Sequence, residues 1–205
     1  MKTNKRLHFD VETTGLNSKE HCIVQLAGLI EIDGQIVDTF NFKIKPHRFD
    51  NISPEALKVT GLTIEELQTY PESSTVYFNL IKLFERYINR FDRSDKFIPI
   101  AYNGKFDMDF LEAFFLHNHD KYFGSWMSRY LLDPLALAKV FFMEGNIPIK
   151  DFHLSTVCAH FDISLNAHDA LEDVTAMREL YRRMIEELGI TPLPPAQTNL
   201  FNNNQ

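Results

Sequence analysis

The stretch that most constrains the fold is Phe9-Asp10-Val11-Glu12-Thr13-Thr14-Gly15-Leu16, at the end of a short apolar run that is typical of a β-strand. Side chains alternate along a strand, so Asp10 and Glu12 project from the same face. Two carboxylates a few ångströms apart repel each other, and burying them unpaired is costly. A divalent cation between them is the usual way to hold two such oxygen ligands together. The alternative is that both acids are solvated at an exposed strand end. Gly15 is expected to end the strand at a backbone angle that only glycine adopts without strain.

Composition indicates one globular domain with an aromatic-rich core, since the 205 residues are 44% apolar and include 18 phenylalanines. The sequence has no run of 18 or more apolar residues, so no transmembrane helix is expected. No apolar signal region follows the basic N-terminus. Cys22 and Cys158 are interpreted as reduced thiols of a cytoplasmic protein. The formal net charge of −7 argues against a protein that coats nucleic acid through a broad basic surface, but not against an enzyme that grips one strand end.

Strand and helix patterns predict an α/β fold with a mixed five-stranded sheet and helices on both faces. Residues 23–32 and 35–44 form a hairpin through Asp33-Gly34, so the first three strands are antiparallel. Further strands are expected at 97–102 and, at the sheet edge, at 126–133. Helices are expected after the caps Ser53, Thr63 (with Glu66 completing a capping box) and Ser73 or Ser74, and at about 105–117, 134–142, 154–161 and 169–188. The third of these has an apolar stripe of Val76, Leu80, Phe84, Tyr87 and Phe91.

Two further carboxylates fall on apolar helix faces. Asp107 shares a face with Leu111 and Phe114, and it lies near a helix N-terminus, where it could instead satisfy backbone N–H groups. Asp173 shares a face with apolar residues of the last helix, namely Ala170, Met177 and Leu180. Acids are rarely placed on such faces unless they are paired or bind a metal.

Asp10, Glu12, Asp107 and Asp173 are therefore candidate ligands of Mg²⁺ or Mn²⁺, which oxygen-rich sites favour over zinc. His168 lies just before the last helix, where a histidine can have a pKa near neutrality and remain in reach of solvent. A lone histidine is more often structural or simply exposed. Carboxylates with a nearby general base are what two-metal phosphodiester hydrolysis requires.

Three segments together resemble a known family. Phe-Asp-Val-Glu-Thr-Thr-Gly-Leu (9–16), Tyr-Asn-Gly-Lys-Phe-Asp (102–107) and His-Asp-Ala-Leu-Glu-Asp (168–173) are similar to the three motifs of DEDDh 3′→5′ exonucleases, and most similar to epsilon-type proofreading subunits of bacterial DNA polymerase III. The resemblance covers about residues 6–188 and implies a ribonuclease H-like fold. It implies two Mg²⁺ or Mn²⁺ ions on the four acids, with His168 as general base.

The resemblance also implies contacts with the 3′-terminal nucleotide of a DNA or RNA strand. Thr13 would contact the 3′-OH, and Leu16 would lie against the base. Asn103 and Phe106 would line the same pocket, and Val59 and Thr60 would lie near the last base. Thr60 stands where epsilon-like proteins often have histidine. Thr13 stands where oligoribonuclease-type relatives usually have methionine, which favours a longer or DNA substrate.

The tail 191–205 is rich in proline and asparagine, carries no charge, and is expected to be extended or disordered beyond a catalytic domain at 1–190. Gln197, Leu200 and Phe201 resemble the Gln-x-x-Leu-Phe peptide with which bacterial replication proteins dock on the sliding clamp. The function predicted is a metal-dependent 3′→5′ exonuclease of single-stranded DNA, with a polymerase and the clamp as partners. The alternatives are an RNA-trimming exoribonuclease similar to ribonuclease T and a non-catalytic tether to the clamp.

Overall fold

A computed structural model describes residues 4–145, 147–165 and 169–190. The strands in these ranges are β1 (Lys5–Thr13), β2 (Ile23–Ile32), β3 (Gln35–Lys43) and β4 (Ile98–Ile100). The helices are α1 (Pro54–Thr60), α2 (Ile64–Gln68), α3 (Ser73–Glu85), α4 (Lys105–His117), α5 (Pro134–Met143), α6 (Leu154–His160) and α7 (Ala170–Glu187), with a 3₁₀ turn at Phe123–Ser125. No helix in the described part of the chain is both long enough and apolar enough to cross a bilayer.

The sheet is mixed, with strand order β3-β2-β1-β4. β1 pairs antiparallel with β2 and parallel with β4, and β2 pairs antiparallel with β3. The β2–β3 turn has positive φ at Asp33 (49°) and Gly34 (84°), which is the type I′ geometry that suits the twist of a hairpin. The predicted α/β class and the antiparallel order of the first three strands are confirmed.

Helices cover both faces of the sheet, as predicted. The larger core joins Leu7, Phe9 and Val11 of β1 to buried side chains of α3 and α4. On the opposite face, α7 packs on the sheet through Val174 and Met177. α5 and α6 in turn pack on α7 through a third cluster, which includes Phe141, Val157 and Leu180. Residues at alternate positions of β1 therefore face two different helical layers, and the Asp10 and Glu12 face is the one toward α7.

The prediction of a fifth strand at 126–133 is wrong. Within the described residues, this segment makes only two isolated parallel bridges, Phe97 to Met127 and Ile100 to Leu132. Between these bridges the Ser128 hydroxyl accepts a hydrogen bond from the Tyr130 N–H (3.1 Å), and the Tyr130 ring is 66% exposed. A local side-chain hydrogen bond of this kind competes with the ladder between strands. The segment follows β4 without forming a continuous strand.

Three local expectations also need correction. α3 ends at Glu85, and Phe91 is 90% exposed instead of continuing the buried stripe. The N-cap of α3 is Glu72, without a side-chain cap, and not Ser73 or Ser74. Gly15 does not have a positive φ.

The caps of the two preceding helices follow the prediction. The Ser53 hydroxyl accepts from the Ala56 N–H, and the Thr63 hydroxyl accepts from the Glu66 N–H. The Glu66 carboxylate does not close the box but accepts a hydrogen bond from the Tyr70 hydroxyl (2.7 Å).

A buried carboxylate fastens α7 to the sheet. Glu31 of β2 is only 3% exposed, and its two oxygens lie 2.8 Å from guanidinium nitrogens of Arg6 and Arg178. Burial opposes its charge, but the nearby His8 (3.5 Å) and the hydrogen bond and charge of Arg178 outweigh this effect and lower the pKa of Glu31 to about 2. Burial lowers the pKa of His8, and the guanidinium groups of Arg6 and Arg178 are the closest positive partners of the Glu31 carboxylate.

We predict that Glu31→Gln lowers the free energy of unfolding at pH 7 by about 2 kcal/mol, because two guanidinium groups lose their carboxylate. The pKa of Glu31 is depressed in the folded state, so its contribution is present above the unfolded pKa of about 4.3 and is lost as pH falls toward about 2. Urea unfolding of both proteins at several pH values should show a difference that shrinks across this window.

The matched control is Glu186→Gln, which removes an exposed pair with Arg182 on the same helix and should cost less than about 0.5 kcal/mol. A Glu31→Gln variant as stable as this control at pH 7 would show that the buried pair does not fasten α7.

Candidate active site

Three of the four predicted ligands converge at the C-terminal half of β1. One carboxylate oxygen from each of Asp10, Glu12 and Asp173 can be chosen so that all lie within 4.8 Å of one another. All three side chains are half-buried. The strand supplies the first two from one face, and α7 supplies the third from above that face. Oxygen ligands at this spacing suit a hard divalent cation.

Asp107 reaches the same strand from α4 on the other side. It is 3% exposed, and its Oδ1 accepts a hydrogen bond from the Val11 backbone N–H (3.1 Å). β4 pairs with β1 only from Arg6 to His8, so the later part of this edge of β1 is left for a side chain to satisfy. Asp107 therefore accepts from a backbone group of β1, and it also adds a charge beside Asp10.

Burial and mutual repulsion raise the pKa values of the carboxyl groups in and beside the cluster, which disfavours ionisation of all of them at once. Burial, and then the charges of Asp107, Glu12 and Asp173, hold the pKa of Asp10 well above its usual range. Burial and the charges of Asp173 and Asp169 raise the pKa of Glu12 to about 7. Burial also raises the pKa of Asp107 to about 7, although the hydrogen bond from the Val11 N–H opposes this shift. A bound cation would relieve this repulsion, so the residues fit a divalent metal.

Beside the carboxylates lies an apolar pocket of about 360 Å³, which we call the terminal pocket. Its lining includes the predicted contacts Thr13, Leu16, Val59, Thr60 and Phe106, together with Glu12, Gly15 and residues of the α1 N-terminus. Leu16 is 86% exposed and Val59 56% exposed, so two large apolar side chains stand at the mouth without cover. Thr13 is nearly buried, and its hydroxyl donates to the Gly15 carbonyl (2.7 Å).

Gly15 is required here for a reason that the sequence did not reveal. A Cβ on this residue would lie 2.2 Å from the imidazole of His21, so the loop packs its backbone directly on a ring. Absence of a side chain, and not an unusual backbone angle, explains the glycine.

Asn103 is not among the residues that line the terminal pocket. It has a left-handed backbone with φ of 57°, and its N–H donates to the Asp133 carboxylate (3.0 Å). His168 lies outside the described residues, as do Gln197, Leu200 and Phe201 of the tail. Their roles remain predictions.

Two aspartates near the site were missed by the sequence reasoning. Asp133 caps α5 by accepting from the Leu135 N–H, and it also fixes the turn at Asn103 that leads into α4. Asp169 caps α7 through the N–H groups of Leu171 and Glu172, and its charge reaches Glu12. The signal for Asp133 was available, because aspartate followed by proline is typical of a helix start.

We predict that Asp10→Asn stabilises the metal-free protein at pH 8, with Tm higher by roughly 2–6 °C, because an amide removes one repelling charge. Carboxyl groups with raised pKa stabilise the fold while protonated, and this contribution is lost as pH rises toward about 7. Calorimetry in EDTA should therefore show a gap between the proteins that widens from pH 5 to pH 8. Added Mn²⁺ should reverse the order, since the wild type then binds the ion more tightly.

The control is Asp109→Asn, because Asp109 is partly exposed on α4 and pairs with Lys105. It should change neither the EDTA value nor the Mn²⁺ response. Equal Mn²⁺ shifts in wild type and Asp10→Asn would remove Asp10 from the metal site.

Comparison with known proteins agrees with this geometry. A protein-family model described as "Exonuclease" matches residues 7–181. The chain is 31% identical over 182 residues to DNA polymerase III PolC-type of Bacillus subtilis, a match that covers 87% of this chain and 11% of that protein. It is 28% identical over 200 residues to the Clostridium perfringens protein of the same name, covering 95% of this chain and 12% of that one. The chain thus spans only a small part of the curated relatives it matches.

Solved structures show the same fold at lower identity. E. coli Exonuclease I in complex with a dT13 oligonucleotide superposes with a TM-score of 0.74 at 20% identity, over 91% of this chain and 42% of that one. An Exonuclease I/SSB-Ct complex superposes with a TM-score of 0.70 at 18% identity, over 92% and 44%. Since the family model spans most of the residues that form the sheet, the carboxylate cluster and the terminal pocket, the chain belongs to the exonuclease family.

Proposed function

We propose that this chain is a divalent-metal-dependent 3′→5′ exonuclease that removes nucleoside 5′-monophosphates from single-stranded DNA. The observation that carries the proposal is the position of the carboxylate cluster directly beside an apolar pocket. Glu12 belongs to both, because it lies in the cluster and also lines the terminal pocket. A nucleotide seated in that pocket would present its phosphodiester bond to the acids.

Asp10, Glu12, Asp107 and Asp173 would hold the metal, and Mg²⁺ or Mn²⁺ suits their oxygen ligands. When bound, two such ions supply charge neutralisation at the phosphate and activation of water. The protein contributes fixed positions for the acids. The bond from the Val11 N–H orients Asp107, and the sheet and α7 fix the other three.

His168 is proposed as the general base that accepts the proton of the attacking water. The neighbouring Asp169 supports this placement, because its charge acts on the pKa of Glu12 and its side chain begins α7. A base at the start of this helix would be close to the cluster to which Asp173 belongs.

The terminal pocket would hold the last nucleotide of the strand. Leu16 and Val59 are exposed, and a base between them would cover both apolar side chains. Phe106 lies on the α4 side of the same pocket, one residue before Asp107. The nucleotide and Asp107 would therefore be positioned by the same turn of α4.

DNA is favoured over RNA as the substrate. The curated relatives are DNA polymerases, and the Exonuclease I structures include complexes with dT13 and dA16 oligonucleotides. Thr13 also favours DNA, because it stands where oligoribonuclease-type relatives usually have methionine. The relatives and solved structures do not favour the alternative of an RNA-trimming enzyme similar to ribonuclease T.

The test is a gel assay on 5′-labelled single-stranded DNA and RNA of equal sequence, with Mg²⁺, Mn²⁺ or EDTA. We predict a ladder that shortens from the 3′ end, depends on the metal and is faster on DNA. His168→Ala should lower the rate by about 10²–10⁴-fold, the usual contribution of a general base. Asp10→Ala should abolish activity in a protein that remains folded.

Asp109→Asn is the matched control and should keep the wild-type rate, since Asp109 pairs with Lys105 outside the cluster. A faster ladder on RNA would favour the exoribonuclease. No cleavage of either strand, with intact Mn²⁺ binding, would favour a non-catalytic tether.

We further propose that the tail docks on a bacterial sliding clamp through Gln197, Leu200 and Phe201. A short segment after the Pro-rich stretch 192–195 suits a peptide that inserts two apolar anchors into a pocket. The DNA polymerase relatives support a polymerase as a second partner and a cytoplasmic location. Tethering to the clamp would raise the local concentration of the enzyme at primer ends.

We predict that Leu200→Ala/Phe201→Ala weakens binding to a purified bacterial clamp by about 100-fold, because two apolar anchors carry most of the affinity of such peptides. Surface plasmon resonance provides the measurement, and Asn203→Ala/Asn204→Ala is the control. Deletion of 197–205 should abolish clamp binding but leave hydrolysis of short oligonucleotides intact. Loss of hydrolysis in the deletion would instead assign the tail to the fold.

A further inference from the structure

A second cavity, of about 400 Å³, lies between the start of β2, the end of β3 and the last turns of α4. We call it the basic pocket, because its charged lining side chains are Lys19, Lys45 and Arg48 and none of its lining residues is acidic. A cavity lined by cations is notable in a chain whose formal net charge is −7. Such a concentration of positive charge favours an anionic ligand.

Two of the cations are available for a ligand. Lys45 is paired with Glu72 (2.8 Å), whereas Lys19 and Arg48 take part in no ion pair with any residue that the structure describes. One Arg48 nitrogen donates to the Lys19 backbone carbonyl (3.2 Å), which ties the two residues together. A guanidinium has five N–H donors, so several remain for an oxyanion.

A histidine pair forms another wall of the basic pocket. The rings of His47 and His117 stack with centroids 3.6 Å apart and planes 12° apart. Burial, the neighbouring imidazole and Arg48 together lower the pKa of His47 to about 4, and burial, His119 and Arg48 lower that of His117. Neutral stacked imidazoles offer N–H donors and flat surfaces beside the cations.

The basic pocket and the terminal pocket share a wall. Gly15 lines the terminal pocket, and His21 lines the basic pocket. A Cβ on Gly15 would lie 2.2 Å from the His21 ring, so these two residues are in direct contact. Phe110, one turn beyond Phe106 on α4, also lines the basic pocket. A ligand there would lie immediately behind the loop that holds the terminal nucleotide.

We propose that the basic pocket binds a nucleotide phosphate. This inference rests on the proposed function, which supplies two sources for such a group. One is a phosphodiester of the strand whose 3′ nucleotide occupies the terminal pocket, and the other is the released nucleoside monophosphate. Lys19 and Arg48 bind the phosphate oxygens in either case.

The test compares Lys19→Gln/Arg48→Gln with the control Lys121→Gln/Arg93→Gln, which removes two exposed cations elsewhere. KM for a single-stranded 12-mer is measured at several KCl concentrations, and inhibition by dTMP is measured in parallel. If the basic pocket binds a phosphate of the strand, we expect the double variant to have a KM about 10-fold higher than the wild type. The slope of log affinity against log salt concentration should be smaller by roughly 1.4, since each phosphate contact on a single strand contributes about 0.7. If the basic pocket binds the released nucleotide instead, we expect weaker inhibition by dTMP, while the KM and the salt slope for the 12-mer stay unchanged.

Either result supports the basic pocket as a phosphate site, whereas KM, salt slope and dTMP inhibition equal to those of the control would overturn it. If the double variant unfolds, Lys19→Gln alone serves, with a slope change of roughly 0.7. If the wild type cleaves no strand, the proposed function fails, and calorimetry with dTMP on all three proteins still decides the phosphate site.

Discussion

Repulsion among carboxylates at the C-terminal half of β1 is the constraint on which the rest of the site depends. Asp10 and Glu12 share one face of the strand, Asp173 faces them from α7, and Asp107 approaches from α4. In the absence of a cation their burial costs stability, as the raised pKa of Asp10 and Glu12 indicates. The surrounding fold must supply this energy, and the large apolar cores on both faces of β1 are where it comes from.

The strands and helices were predictable where a local rule decides the structure. The Asp33-Gly34 turn and the Ser53 cap are of this kind, because their backbone geometry depends on the residues themselves. The predictions that Phe91 continues the apolar stripe of α3 and that 126–133 forms a strand were wrong. Spacing alone does not show where a helix ends or where a ladder between strands breaks. In the latter, the hydrogen bond to the Ser128 hydroxyl competes with the sheet, and such local bonds leave little trace in a hydrophobic pattern.

The cluster of Asp10, Glu12 and Asp173 was predictable because two acids at alternate positions of a strand share a face, and an acid on an apolar helix face is conspicuous in a sequence. What the sequence could not show was the shared wall between the two pockets, since it depends on the contact between Gly15 and His21. The second role of Asp107, which accepts from the Val11 N–H, depends equally on the shortness of β4. Both features arise from tertiary contacts between segments that have no common pattern.

Anomalous diffraction from crystals grown with Mn²⁺ would locate the metal ions of this site. We expect a strong peak among the carboxylates of Asp10, Glu12 and Asp173, with oxygen atoms at about 2 Å, and a second peak nearby. Absence of any peak at these residues at saturating Mn²⁺, or a peak only at other residues, would contradict the assignment of a metal centre to the end of β1.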